Sequence, residues 1–291
     1  MSYETITYEA RDHVATITLN RPEQMNTIGV DMIHDLVDAI ERVDADDDVR
    51  CAVVTGAGRV FCAGADLSKR EDTFVVDKYD NEFVAARDGA CAVALALYNS
   101  PKPFVAAING SAVGFGLTLT LPMDIRICAE NAKLGFVFSR RGMIIDAAAS
   151  WFLPRIVSMS WAADWAYSGR MFSADEALRA GLVRELHPAD AVLPAAHALA
   201  GEIAAASPVS VSFTKALLWR ASTAPSPRLA LDLDSAALRE LGTRPDCAEG
   251  VQAFLERRPP RFTSKVSTEM PAVYGWWQRD DDGGRSPTRV E

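Results

Sequence analysis

Two stretches decide how this chain reads: Thr55-Gly56-Ala57-Gly58-Arg59-Val60-Phe61-Cys62-Ala63-Gly64-Ala65-Asp66-Leu67 and Ala107-Ile108-Asn109-Gly110-Ser111-Ala112-Val113-Gly114-Phe115-Gly116. Each follows an apolar, strand-like run, Cys51 to Thr55 in the first case and Phe104 to Ile108 in the second, and each turns on several glycines. Glycine accepts positive φ and lets a backbone come close to a ligand. A strand that ends in such a turn and opens a helix leaves main-chain N–H groups without intrahelical acceptors. Two such turns aimed at one point can hold a developing oxyanion. The alternative for either turn taken alone is a tight connection with no chemistry.

The bulk properties narrow the classes. The chain has 291 residues, 49% of them hydrophobic, enough for one large core or for a core with a smaller second domain. Thirty Lys and Arg against 39 Asp and Glu give a net charge of −9. That balance argues against a nucleic-acid partner. The five cysteines, Cys51, Cys62, Cys91, Cys128 and Cys247, are widely spaced with no C-x-x-C, so no metal is expected and a reducing, cytoplasmic setting is. An N-terminus carrying Glu4, Glu9 and Arg11 does not read as a signal peptide. The longest apolar stretch, Ala90 to Tyr98, is too short to span a bilayer, so no membrane association is expected.

Along the chain, Ile6, Tyr8, Val14, Thr16 and Thr18 lie in two short alternating runs that predict a hairpin. Ile33, Leu36, Val37 and Ile40 predict a helix. Cys51 to Thr55, Phe104 to Ile108 and Ile125 to Ala129 read as buried strands, and strands alternating with helices indicate an α/β core. Ser68 to Arg87 is polar, either a surface insertion or a segment covering a site. Ser173-Ala174-Asp175-Glu176 is a capping-box sequence, and Gly181 ends the helix it starts. From Pro188 the composition turns helical, over Ala191 to Ala206, Pro208 to Arg220, Arg228 to Leu241 and Pro245 to Arg257. The expected organisation is therefore an α/β core over 1–187, a helical region over 188–262 and a partly disordered tail over 263–291, which contains Trp276-Trp277 and Asp280 to Gly284.

The ordered series Asn20-Arg21-Pro22, Phe61 to Leu67, Lys102-Pro103, Asn109-Gly110, Ser168-Gly169-Arg170 with Ala177, and Ala180-Gly181-Leu182-Val183 resembles the crotonase, or enoyl-CoA hydratase/isomerase, family from about Tyr3 to Phe262. The resemblance implies a spiral of ββα units with a helical C-terminal region that builds a homotrimer or hexamer. It implies an acyl-CoA substrate and no cofactor other than the coenzyme A the substrate carries. It places a thioester carbonyl between the main-chain N–H groups of Ala65 and Phe115. It assigns CoA and acyl contacts to Ala63, Asp66, Leu67, Phe254 and Arg257, with Arg258 nearby; Glu23 stands where a basic residue is usual.

The chain departs from the hydratase pattern at two places. The positions of the two hydratase glutamates are Thr118 and Phe138 here. Adding water across C=C needs a base for the water and an acid for the α-carbon, and neither residue supplies one. Asp146, in Met143-Ile144-Ile145-Asp146-Ala147-Ala148-Ala149-Ser150, matches the working aspartate of some family isomerases. It also precedes an apolar helix expected over Ala147 to Val157, which leaves an ordinary N-cap open as its role. Phe138 and Trp151 are expected to wall the acyl site beside it. Arg140 and Arg141 read either as a structural ion pair or as substrate contacts. Double-bond isomerisation by a single aspartate is the favoured reading, with enoyl-CoA hydration and a non-catalytic acyl-CoA-binding scaffold as alternatives. A serine hydrolase fits less well: no G-x-S-x-G occurs, and His13, His34, His187 and His197 fall at turns and outer helices.

Overall fold

The structure, a computed structural model, describes residues 3–67 and 89–277. The stretch 68–88, which holds the whole of the predicted covering segment Ser68 to Arg87, and the acidic glycine end of the tail lie outside the described residues. The chain divides into two compact units between Glu202 and Ile203; the composition shift near Pro188 coincides instead with the end of the last strand.

The first unit opens with an antiparallel hairpin, Ile6–Arg11 (β1) and Val14–Leu19 (β2). Asp12 and His13 turn it with φ of 51° and 66°, the left-handed pair that suits a two-residue hairpin loop. Val30–Ala45 (α1) follows and buries Met32, Leu36, Ala39, Ile40 and Val43, a one-sided stripe at helical spacing.

The chain then repeats one move three times. It lays a strand in a large sheet, the next strand in a small sheet, then a helix. The first pass is Cys51–Gly56 (β3), Val60–Cys62 (β4) and Gly89–Asn99 (α2). The second is Phe104–Ile108 (β5), Ser111–Val113 (β6) and Phe115–Thr118 (α3). The third is Ile125–Ala129 (β7), Lys133–Gly135 (β8) and Ala149–Ile156 (α4). Met159–Ser168 (α5), Met171–Ser173 (β9), Ala174–Ala180 (α6), Glu185–His187 (β10) and Val192–Ala204 (α7) follow. The large sheet runs β1-β2-β3-β5-β7-β10 and the small one β4-β6-β8-β9. From β2 to β10 the large sheet is parallel, and β3 and β5 are buried at every position, as expected of strands covered on both faces. This is the expected spiral of ββα units.

Several of the recurring sequence pieces turn out to hold this spiral together. Lys102 is 1% exposed and donates through Nζ to the carbonyls of Val43 (2.7 Å) and Asp46 (2.6 Å), satisfying the end of α1 with a cation. Burial lowers its pKa against the pull of neighbouring aspartates. Arg170 pairs with Asp164 and Glu176, and Gly169 ends α5 at φ 57°. The capping box at Ser173 is half formed. Ser173 Oγ accepts from the Glu176 N–H at 3.2 Å, but the Glu176 carboxylate accepts from Trp165 Nε1 at 2.8 Å and from Arg170. A buried indole and a guanidinium outcompete the return bond to the cap.

The second unit holds Pro208–Arg220 (α8), Arg228–Leu241 (α9) and Pro245–Glu256 (α10). Its core is Phe213, Ala216, Ala221, Leu233, Ala237 and Trp276, with Leu217, Leu229 and Trp277 packed against it. The tryptophan pair, open to packing on a neighbour from sequence alone, is thus part of the core of its own unit. Leu218, Leu231 and Leu238 are 61–70% exposed.

Asn26 is the side chain that fixes the first glycine turn. It is wholly buried, sits at φ 53°, and donates through Nδ2 to the carbonyls of Ala57, Val60 and Phe61 at 2.8–3.2 Å. Its Oδ1 accepts from the Arg21 N–H at 2.9 Å. Replacing Asn26 by Leu strands this set of buried polar groups and should lower stability by on the order of 3 kcal/mol. Denaturant unfolding checks this; a loss under about 1 kcal/mol would mean that the turn does not depend on Asn26.

Candidate active site

The two glycine turns touch backbone to backbone. Gly64 has φ +99°, and a Cβ there would stand 2.7 Å from the Val113 carbonyl oxygen and 3.7 Å from the Phe115 nitrogen. A Cβ on Gly116 would stand 2.4 Å from the Cys62 carbonyl oxygen. No side chain fits at either place. Asn109 ties the turns together: Nδ2 donates to the carbonyls of Gly56 (2.9 Å) and Gly58 (3.0 Å), and Oδ1 accepts from the Gly56 N–H at 3.1 Å.

This contact leaves two main-chain donors without acceptors among the described residues. In the first turn, Ala63 N–H donates to Met25 O, Ile28 N–H to Gly64 O and Asp66 N–H to Ile28 O, at 2.9–3.0 Å. The N–H of Ala65, between them, has no acceptor among the described residues. In the second turn, Gly114 N–H donates to Gly135 O, and the Leu117 and Thr118 N–H groups return to Gly114 O. Phe115 opens α3, so its N–H has no intrahelical acceptor and none elsewhere among the described residues. Ala65 and Phe115 line one cavity of about 50 Å³ together with Ala63, Leu67, Phe138 and Asp146. Main-chain donors on a rigid frame are what an oxyanion site requires.

Asp146 reaches this cavity from the loop before α4. The cap of α4 is Ala148, with no side-chain bond, so Asp146 does not act as the N-cap. Its carbonyl accepts from Ala149 N–H at 2.8 Å. Its carboxylate goes the other way and accepts from Thr118 Oγ1 at 2.5 Å. Two successive non-glycine residues in the left-handed region, Ala147 at φ 51° and Ala148 at φ 54°, separate the aspartate from the helix and turn it toward the cavity. Such backbone costs of order 1–3 kcal/mol per residue and persists where surrounding packing enforces it; Ala147 and Ala149 are wholly buried.

Thr118 is the residue whose positive role the sequence did not reveal. It is wholly buried, and its hydroxyl lies 3.4 Å from the carbonyls of both Gly114 and Phe115, against 2.5 Å to Asp146. A hydroxyl has one proton to donate, and the distances assign it to the carboxylate. Phe138, the other position where the resemblance implies a hydratase glutamate, is 9% exposed and lines the cavity.

The remaining candidates separate. Asp66 pairs with Arg21, Oδ2 to Nη2 at 3.3 Å. Trp151 stacks edge-on with Tyr98 (5.6 Å) and lies under Arg155 (4.0 Å), and is not among the residues lining the cavity. Phe254 and Arg257 belong to the second unit, Phe254 82% exposed and Arg257 closing α10 at φ 54°. Arg258 is held by Glu249 through both carboxylate oxygens, at 2.6 and 2.9 Å. Cys62, inside the first turn, is no nucleophile: burial pushes its thiol up to about 12. None of the four histidines lines the cavity, and among the described residues no cluster of His, Cys, Asp or Glu is placed to hold a metal ion.

Two main-chain donors without acceptors among the described residues and one hydroxyl-held carboxylate around a small cavity define a class of site suited to proton transfer beside a carbonyl. Comparison with known proteins narrows that class. The family described as enoyl-CoA hydratase/isomerase matches residues 9–265. An enoyl-CoA hydratase of Alternaria alternata is 42% identical over 260 residues, covering 86% of this chain and 83% of its own. A 1,2-epoxyphenylacetyl-CoA isomerase of Escherichia coli is 34% identical over 261 residues, covering 87% and 95%. The crystal structure of a probable enoyl-CoA hydratase/isomerase from Mycobacterium abscessus superposes with a TM-score of 0.82 at 38% identity, covering 89% of this chain and 99% of that one. The chain belongs to the enoyl-CoA hydratase/isomerase, or crotonase, family.

Because the Ala65 N–H has no acceptor among the described residues, Ala65→Pro removes a donor without breaking a bond seen there. The variant should keep its circular dichroism spectrum and lose about a hundredfold in turnover of an acyl-CoA substrate. A folded variant with the parent rate would remove Ala65 from the site.

Proposed function

We propose that this protein isomerises enoyl-CoA thioesters, moving the double bond from the 3- to the 2-position. The observation that carries the reading is the single carboxylate in the cavity: Asp146 is the only acid among the described residues that line it. In the proposed reaction the thioester oxygen sits between the Ala65 and Phe115 N–H groups. Asp146 takes a proton from the carbon next to the thioester, and the electrons pass to an enolate that the two donors stabilise. The same carboxyl returns the proton to the γ-carbon, leaving the double bond conjugated. One acid suffices because one proton leaves and returns. Thr118 donates to the carboxylate and so holds it in the orientation both transfers need. The reaction calls for no cofactor beyond the coenzyme A of the substrate.

Hydration is the second reading, favoured by the name of the Alternaria relative. It needs a further group to activate water, and the family resemblance puts Thr118 and Phe138 where such groups would stand. A scaffold that binds acyl-CoA without turnover would account for the missing glutamates but gives no role to the Thr118–Asp146 bond.

We also propose a homotrimer or a hexamer. Leu231, Leu238, Val251, Phe254 and Leu255 are 58–82% exposed on the second unit, more apolar surface than a solvated helix face usually leaves open. Light scattering should give three or six times the chain mass; a monomer at micromolar concentration would contradict this.

Wild-type protein should convert a 3-enoyl-CoA to the 2-enoyl isomer faster than it forms 3-hydroxyacyl-CoA from the latter, followed by mass in D₂O. Asp146→Asn should lose at least about a hundredfold in kcat. Thr118→Val, matched in shape but without the hydroxyl, should lower kcat by roughly tenfold at unchanged KM, with Thr118→Ser restoring most of it. Rapid 3-hydroxyacyl-CoA formation by the Asn variant would defeat the proposal.

A further inference from the structure

The proposed reaction leaves one charged group of the cavity without a task. Arg141 lines the same cavity as Ala65, Phe115 and Asp146. It stands in a single turn of 3-10 helix, Ser139–Arg141, whose last N–H donates to Phe138 O at 2.8 Å and which Gly142 closes at φ 71°.

The two adjacent arginines of this turn are used differently. Arg140 is tied into the fold: its Nε donates to Ser168 O at 3.0 Å, and a Cβ on Gly169 would stand 2.9 Å from its Cγ. The Arg141 side chain makes one bond among the described residues, Nη1 to Val137 O at 3.3 Å, four residues back along its own chain. No carboxylate among the described residues pairs with it. A guanidinium has five N–H donors in a planar fork that fits a carboxylate through two parallel bonds. Val137, Phe138 and Met143 line the cavity with it, and Arg141 itself is solvent-exposed, so its guanidinium is open to an anion whose apolar stem lies along these side chains. The whole chain is acidic, at −9, so this cation is a local exception to a field that repels anions.

We propose that Arg141 selects acyl groups that carry a second anionic group, a carboxylate placed beyond the reacting carbons, which its guanidinium takes through two bonds. The proposal rests on the reading of this cavity as the acyl-CoA site and adds the substrate class. The phosphates of coenzyme A carry the same charge and are the other source of an anion for this guanidinium.

Calorimetric titration with unreactive, saturated ligands tests it: glutaryl-CoA, its monomethyl ester and free coenzyme A, each against wild type, Arg141→Met and Arg141→Lys. Wild type should bind glutaryl-CoA at least about tenfold more tightly than the ester, the scale of one charge-assisted contact. Arg141→Met should abolish that preference and leave ester and free coenzyme A within about twofold of wild type, while Arg141→Lys keeps part of it. Equal affinity of wild type for acid and ester overturns the assignment. So does a loss in Arg141→Met that free coenzyme A shares, which would put the guanidinium on a phosphate. Neither thioester can isomerise or hydrate, so these outcomes do not depend on which reaction the enzyme runs. Failure of both thioesters to bind at all would sink the acyl-CoA reading together with this one.

Discussion

The site exists because two stretches of backbone touch with no side chain between them. Gly64 and Gly116 stand where any Cβ would fall within 2.7 Å of a carbonyl oxygen of the opposite turn, closer than real contacts allow. That approach brings the ends of β4 and β6 together and leaves the N–H groups of Ala65 and Phe115 without an acceptor among the described residues. Asn26 and Asn109 saturate the surrounding carbonyls of the first turn. The donors are therefore fixed by buried hydrogen bonds rather than by the ligand, and an oxyanion held there meets preorganised dipoles.

The acid half of the site is built by the opposite means. Strained backbone, not glycine, aims it: Ala147 and Ala148 take left-handed φ, and the energy this costs is offset by burying the flanking alanines. What the strain achieves is a carboxylate that would otherwise sit at a helix start and instead lines the cavity and accepts from the buried Thr118 hydroxyl. A threonine at this place removes one hydratase acid and orients another carboxylate. In the proposed reaction the two positions act together, since the Thr118 hydroxyl donates to the Asp146 carboxylate.

Much of this was legible in sequence because it rests on local rules. Fully apolar runs such as Cys51 to Thr55 and Phe104 to Ile108 report parallel strands covered on both faces, and glycines in register after them report close backbone approach. The partnerships were not legible. Asp146 before an apolar helix looks like a cap, and only the left-handed pair after it, which alanine does not advertise, turns it away. Ser173 with Glu176 reads as a complete box until Trp165 and Arg170 claim the glutamate. Asn26 carries no periodic signal, since its role is three carbonyls more than thirty residues away. Trp276 joins core residues from Phe213 to Ala237, 39 to 63 residues upstream of it in the chain. In each case long-range pairing decides between local alternatives that the sequence leaves equal.

The account stands or falls on where the thioester oxygen lies. A crystal structure of the Asp146→Asn protein soaked with a 3-enoyl-CoA measures this directly. The carbonyl oxygen should sit about 2.7–3.1 Å from both the Ala65 and the Phe115 nitrogens, with the α-carbon facing residue 146. A thioester bound in the cavity with its oxygen on neither donor would contradict the account.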